Sequence, residues 1–261
     1  MRKVNFARPV AAKVPEVTLL FWVIKILTTA GGEATSDYLA LGSKVTGAAV
    51  ELALLIVGLV WQFSTRRYFA VSYWFLAYAI AIFGTGVSDT LHLDFHIPYA
   101  GTTILWAVVL AGVFLIWQRT EGTISFHSIT TRRREVFYWA TVFATFALGT
   151  ALGDFTASVV DIGYLASGIM FGALILIPAF ARWVLKQNEV LTFWVAYVLT
   201  RPLGASFADY VSKSHSIGGV NFGDGPTAVV VALMVGVLVT YLALARNDIQ
   251  PPATPGPGAG E

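Results

Sequence analysis

"WVIKILTTAGGEATSD", residues 22–37, opens on an indole and closes on a carboxylate fifteen residues later. It is apolar enough for a membrane helix, yet it holds Lys25, Glu33 and Asp37. The same frame returns three times: Trp74 precedes Asp89, Trp139 precedes Asp154 and Trp194 precedes Asp209, each by 15 residues. Gly32, Gly84, Gly149 and Gly204 stand five residues before the Asp, and Ser36, Ser88, Gly153 and Ala208 stand directly before it. The chain has only 8 Trp in 261 residues, so four coincidences at one spacing mark a fourfold tandem repeat.

The rest of the chain fits that unit. It is 56% hydrophobic and 12% charged, with mean hydropathy +0.70, where a soluble domain carries about a quarter charged residues. Apolar runs of about 20 residues, each long enough to cross a bilayer as a helix, lie at roughly 17–38, 43–63, 69–91, 98–118, 136–157, 162–184, 190–211 and 226–246. None shows the strict alternation of a β-barrel strand. The expected fold is an all-α membrane bundle of eight spans, built as four parallel helical hairpins. A single transmembrane domain covers 1–246, with repeats at about 13–66, 67–131, 132–187 and 188–246. The Pro- and Gly-rich residues 247–261 read as a disordered cytoplasmic tail.

Thirteen Lys and Arg fall in the loops of one side and only Lys44 and Lys213 in those of the other; Lys25 and Arg201 lie inside spans, completing all 17. The positive-inside rule then predicts that both termini are cytoplasmic. Each Trp lies near the cytoplasmic interface, and each Asp about 22 Å higher. The Gly and the small residue share a helix face that permits close helix contact. Four equivalent helices about one axis bring Asp37, Asp89, Asp154 and Asp209 to one depth.

An ionisable group at that depth costs several kcal/mol unless paired or hydrated. Two readings follow: the Asp residues tie repeats and loops together, or they line a polar path for a cation or proton. The repeats are unequally polar. Lys25, Thr29, Glu33 and Asp37 follow at steps of four. Their counterparts are Ala77, Ala81, Thr85 and Asp89, then Val142, Phe146, Thr150 and Asp154, then Tyr197, Arg201, Ala205 and Asp209. Glu51 adds a further acid in the second span. An Arg201–Glu33 pair across the bundle is expected, with Lys25 as the alternative partner. If all converge, the four Asp and Glu33 against Lys25 and Arg201 leave three negative charges.

Other signals are weaker. His92, Asp94 and His96 have a spacing that suits a metal, although two His this close are common without one. The loop 214–226 is flexible by composition, and Pro178 and Pro202 interrupt spans. There is no Cys, hence no disulfide or thiolate site, and Met is rare, which argues against a soft-ion carrier. No phosphate-binding loop, nucleophile elbow or His-Glu-x-x-His motif is present, and nothing points to nucleic acid.

With its three echoes, "PEVTLLFWVIKILTTAGGEATSDYL" (15–39) resembles a bacterial family of integral-membrane proteins built from four tandem two-helix repeats of unknown function. The resemblance runs from about 13 to 246. It is carried best by Trp22, Lys25, Gly32, Glu33 and Asp37; the second and third repeats lack the Lys and Glu counterparts. It implies eight helices in a bacterial inner membrane and brings no activity with it.

Function therefore rests on the residues. The leading expectation is a small transporter or exporter of a cation, a divalent metal ion as substrate, with proton coupling an open addition. The four Asp and Glu33 would bind the ion or proton, while Lys25, Arg201 and Glu51 would set charge or gate. The alternatives are a non-transporting scaffold or sensor, and a membrane enzyme or small-ligand binder. The partners expected are the lipid bilayer and a small ion or molecule; homo-oligomerisation is left open, and no resident cofactor is implied.

Overall fold

The computed structural model describes residues 11–250; the basic opening at 1–10 and the tail from 251 onward lie outside the described residues. The described chain forms eight long α-helices: α1 (Leu19–Ala40), α2 (Lys44–Ser64), α3 (Ala70–Leu93), α4 (Tyr99–Glu121), α5 (Arg132–Asp154), α6 (Gly163–Trp183), α7 (Glu189–Ser212) and α8 (Asp224–Ala245). No strand occurs among the described residues. Seven helices, every one but α1, are long and apolar enough to cross a membrane. The exception, α1, carries Lys25, Glu33 and Asp37 within its 22 residues.

Helix starts follow local chemistry. Thr18, Ser43, Thr131 and Asn188 sit at N-caps of α1, α2, α5 and α7, and each side chain accepts a backbone N–H three residues on. Such caps satisfy donors that the first turn leaves orphaned.

Burial separates two classes of helix. The apolar windows of α3, α5 and α7 are 67, 72 and 61% buried, whereas those of α2, α4, α6 and α8 are 22% each. The first helices of the repeats are therefore inside and the second helices outside. The inner helices contact in cyclic order, α1 on α3, α3 on α5, α5 on α7 and α7 on α1. Each outer helix packs mainly on the inner helix of the following repeat: α2 on α3, α4 on α5, α6 on α7, and α8 back on α1. The connection inside a repeat is thus covalent more than it is a packed interface.

The ring closes twice with repeating chemistry. At the Trp level, the residue before each Trp packs on the next helix's Trp: Phe21 on Trp74 at 5.5 Å, Tyr73 on Trp139 at 5.2 Å, Tyr138 on Trp194 at 5.9 Å and Phe193 on Trp22 at 5.7 Å between centroids. Nearer the Asp level, each motif Gly meets the residue eight before the Asp of the next helix. A Cβ on Gly32 would lie 2.3 Å from that of Ala81; one on Gly84, 3.0 Å from that of Phe146; one on Gly149, 2.2 Å from Cγ of Arg201; one on Gly204, 1.8 Å from Oγ1 of Thr29. Glycine is needed because neighbouring helices approach closer than a methyl allows.

The Trp end is sealed by chain from both termini. Lys13 N donates to Ile129 O at 3.0 Å, Tyr68 N to Ala12 O at 3.0 Å and Glu16 N to Asp248 O at 2.7 Å. The buried Lys13 ammonium donates to the carbonyls of Gln62 and Thr65 at 2.8 Å each, and pairs with Glu135 at 3.2 Å. Residues 247–250, assigned above to the tail, lie against the bundle: Asp248 is buried and accepts from the Tyr68 hydroxyl.

Candidate functional site

Three polar levels stack along the inner helices from the aromatic ring to the Asp end: Lys25, then Arg201 with Glu33, then the aspartates. At the central level Arg201 on α7 is wholly buried and its Nη2 donates to Glu33 Oε2 on α1 at 2.6 Å. Its other two nitrogens are used as well. Nη1 bonds Thr29 O at 2.7 Å, Nε bonds Phe146 O at 3.3 Å, and Nη2 also meets the hydroxyls of Thr150, at 2.7 Å, and Thr85. Glu33 Oε2 accepts from Thr85 at 3.0 Å and from Thr150 at 3.2 Å. Glu33, Thr85 and Thr150 hold one position in three repeats, four residues before the Asp, so the repeat itself assembles this layer. The fourth equivalent is the apolar Ala205, and Arg201, one turn before it on α7, supplies the cation of the layer.

One helical step toward the Asp end lies an acidic mouth. One carboxylate oxygen each from Glu33, Asp37 and Asp209 lies within 4.8 Å of the other two; among the described residues this is the one cluster close enough to hold a metal. Lys213, just past the end of α7, sends its ammonium into it, 2.6 Å from Asp37, 3.3 Å from Asp224 and 3.9 Å from Asp209. Burial alone would lower this lysine, but Asp37 and then Asp209 outweigh it and hold it well above its ordinary value. Asp89 and Asp154 are half-buried and within electrostatic reach of Glu33 and Asp37. Directly after Asp154, α5 gives way to a π-helical turn over Phe155–Val159, a distortion often found at functional positions.

The other expected residues have separate places. Glu51, buried on α2, accepts from Ser36 on α1 at 2.6 Å and presses on Gly86 of α3, where a Cβ would lie 2.0 Å from Oε2. It pins an inter-helix seam. His92, Asp94 and His96 are not brought together. His92 Nδ1 bonds Ile97 O at 2.8 Å while its ring stacks on Tyr99, His96 Nδ1 bonds Leu93 O at 3.0 Å, and Asp94 pairs with Lys44. The two rings serve turn closure, and Asp94 ties the loop to the start of α2. Lys25 is buried with its Nζ over the rings of Phe146 and Tyr197.

Sequence reasoning missed Lys213, counted as one of two loop cations. Its signal was its place four residues after Asp209. Thr85 and Thr150 were visible only as neutral counterparts of Glu33.

Residues 20–68, 72–123, 137–188 and 192–248 each match the model of the family described as Repeat of Unknown Function (DUF347). The chain belongs to this family. Its four DUF347 units are the four Trp-to-Asp frames with their second helices. No curated protein and no solved structure matches the chain.

Proposed function

We propose that this DUF347 protein carries a cation, a hard or borderline divalent metal ion, across the bacterial inner membrane, with the aspartate level as the outward mouth and protons as counter-ions. The observation that carries this reading is the approach of Glu33, Asp37 and Asp209 oxygens to within 4.8 Å. Carboxylates without thiolates suit such ions. Lys213 supports it, because a cation already fits among Asp37, Asp209 and Asp224. The six carboxylates Asp37, Asp89, Asp154, Asp209, Asp224 and Glu33 against Lys25, Arg201 and Lys213 leave three negative charges, a field that draws cations in.

On this reading the four inner helices run the same way, Trp at the cytoplasmic side and both termini inside. That the same two contacts recur from helix to helix, one at the Trp level and one near the Asp level, supports it. Glu33 then belongs to both the mouth and the Arg201 layer, so an ion drawing Glu33 outward competes with Arg201. That competition is the gate.

One observation favours a second reading, a non-transporting scaffold: every N–H-bearing nitrogen of Arg201 has an acceptor or hydroxyl partner, as a purely structural lock would require. The test is uptake of Mn, Zn, Co, Ni or Fe ions into liposomes holding the purified chain, with and without a pH gradient. The carrier reading expects saturable uptake that Asp37→Asn and Asp209→Asn cut at least tenfold while the protein stays folded. Absence of uptake of all five ions by the wild-type chain overturns it.

A further inference from the structure

Lys25 has no counterpart in the other repeats, where Ala77, Val142 and Tyr197 hold its position. It is 1% exposed, and its Nζ makes no hydrogen bond. Its close neighbours are ring faces, Phe146 at 3.9 Å and Tyr197 at 4.2 Å from the centroids. Such faces attract a cation but offer no acceptor for its three N–H groups. The charge whose field reaches it is the Arg201 guanidinium, of the same sign. Arg201 already has the one nearby carboxylate, Glu33. Asp37 stands twelve residues further along α1, about 18 Å away by helix rise, where its attraction is weak. Two basic side chains and one carboxylate thus share a sealed stretch of the axis.

We propose that a small monovalent inorganic anion of the halide class binds beside Lys25, between the aromatic ring and the Arg201–Glu33 layer, accepting from Lys25 Nζ. The anion gives Lys25 Nζ an acceptor and the counter-charge that keeps it an ammonium. A buried ammonium needs such pairing. The site is independent of cation carriage at the aspartate level.

The test uses the purified full chain in detergent at constant ionic strength, with chloride or bromide replacing gluconate. Halide should raise the unfolding temperature of the wild-type chain by a few degrees in a saturable way, as ligand linkage requires. Lys25→Met should be insensitive to halide. Equilibrium binding of radioactive chloride should give one ion per wild-type chain, a readout that survives if Lys25→Met fails to fold. A wild-type chain indifferent to halide, or a Lys25→Met chain that responds like wild type, overturns the proposal.

Discussion

Arg201 on the seventh helix and Glu33 on the first meet at 2.6 Å with both side chains sealed from solvent. They sit 168 positions apart in the chain, yet the ring order makes α7 and α1 neighbours. Removing either partner strands a buried charge at a cost of about 3–5 kcal/mol. Arg201→Met alone should therefore lower the detergent unfolding temperature sharply. The double change Arg201→Met with Glu33→Leu should regain most of the loss, because a well-packed apolar pair often replaces a buried ion pair without penalty. Tryptophan-fluorescence melting of the four proteins completes the cycle. If the double variant is no more stable than the worse single, the pair is not the lock described here.

The inner ring rests on glycines that cannot grow. Gly204→Ala would drive its new methyl onto Thr29 of α1, and Gly149→Ala onto the Arg201 side chain. Overpacking of this kind costs about 1–3 kcal/mol. Gly112 on α4 is the control, since a Cβ there meets nothing within 4 Å. Gly112→Ala should leave stability unchanged or raise it by up to about 1 kcal/mol through helix propensity. Equal melting temperatures for all three variants would contradict the ring.

The repeat, the helix count and the Arg201–Glu33 pairing were readable from spacing because each is a statement about which residues share a face or a depth. Neighbour choice was not readable. Four consecutive hairpins suggest that α1 packs on α2, whereas α2 packs mainly on α3 and α8 returns to α1. Nothing in the period of one helix encodes which other helix covers it. Lys213 was obscure for a related reason. A loop cation is ordinarily solvated, and only the turn that folds it back between Asp37 and Asp224 makes it part of the mouth. The His92 spacing misled because local backbone carbonyls satisfy both rings.

The terminal strap carries its own pH signature. Burial raises the Asp248 carboxyl above its ordinary value, with the Tyr68 hydroxyl bond pulling the other way. The folded strap therefore holds a proton that the released strap gives up. Its stability is greatest below the ordinary carboxylate value of about 3.9 and declines as pH rises through the raised value. Asp248→Asn should flatten that slope. The protection factor of the Glu16 amide, whose N–H donates to Asp248 O, should fall with rising pH in the wild type and stay level in the variant.

Lys213 competes with any cation for the acidic mouth. Held well above its ordinary value by Asp37 and Asp209 against the pull of burial, it stays charged at every physiological pH. Its contribution to stability is complete below the ordinary lysine value of about 10.4 and is lost only as pH climbs through the raised one. Lys213→Met should tighten divalent-ion binding by about tenfold, the factor that 1.4 kcal/mol represents. The lysine adds no pH dependence to that gain between pH 6 and 9. Calorimetric titration of Mn or Co ions at pH 6 and pH 8 reads both points. Unchanged affinity in Lys213→Met would mean that ions bind elsewhere.

Asp89 and Asp154 separate a carrier from a scaffold. Among the described residues neither carboxylate takes a hydrogen bond or an ion pair, yet both lie within electrostatic reach of Glu33 and Asp37. A carboxylate that fastens repeats would have partners to lose, so a scaffold predicts that Asp89→Asn and Asp154→Asn melt earlier. Like charges crowded at one depth repel, so in a carrier the neutral amide relieves strain while weakening the field that recruits the ion. The carrier reading thus expects equal or higher unfolding temperatures for both variants, together with divalent-ion uptake reduced several-fold. Melting curves and liposome uptake on the same preparations decide between them, because only the scaffold reading lowers the unfolding temperature.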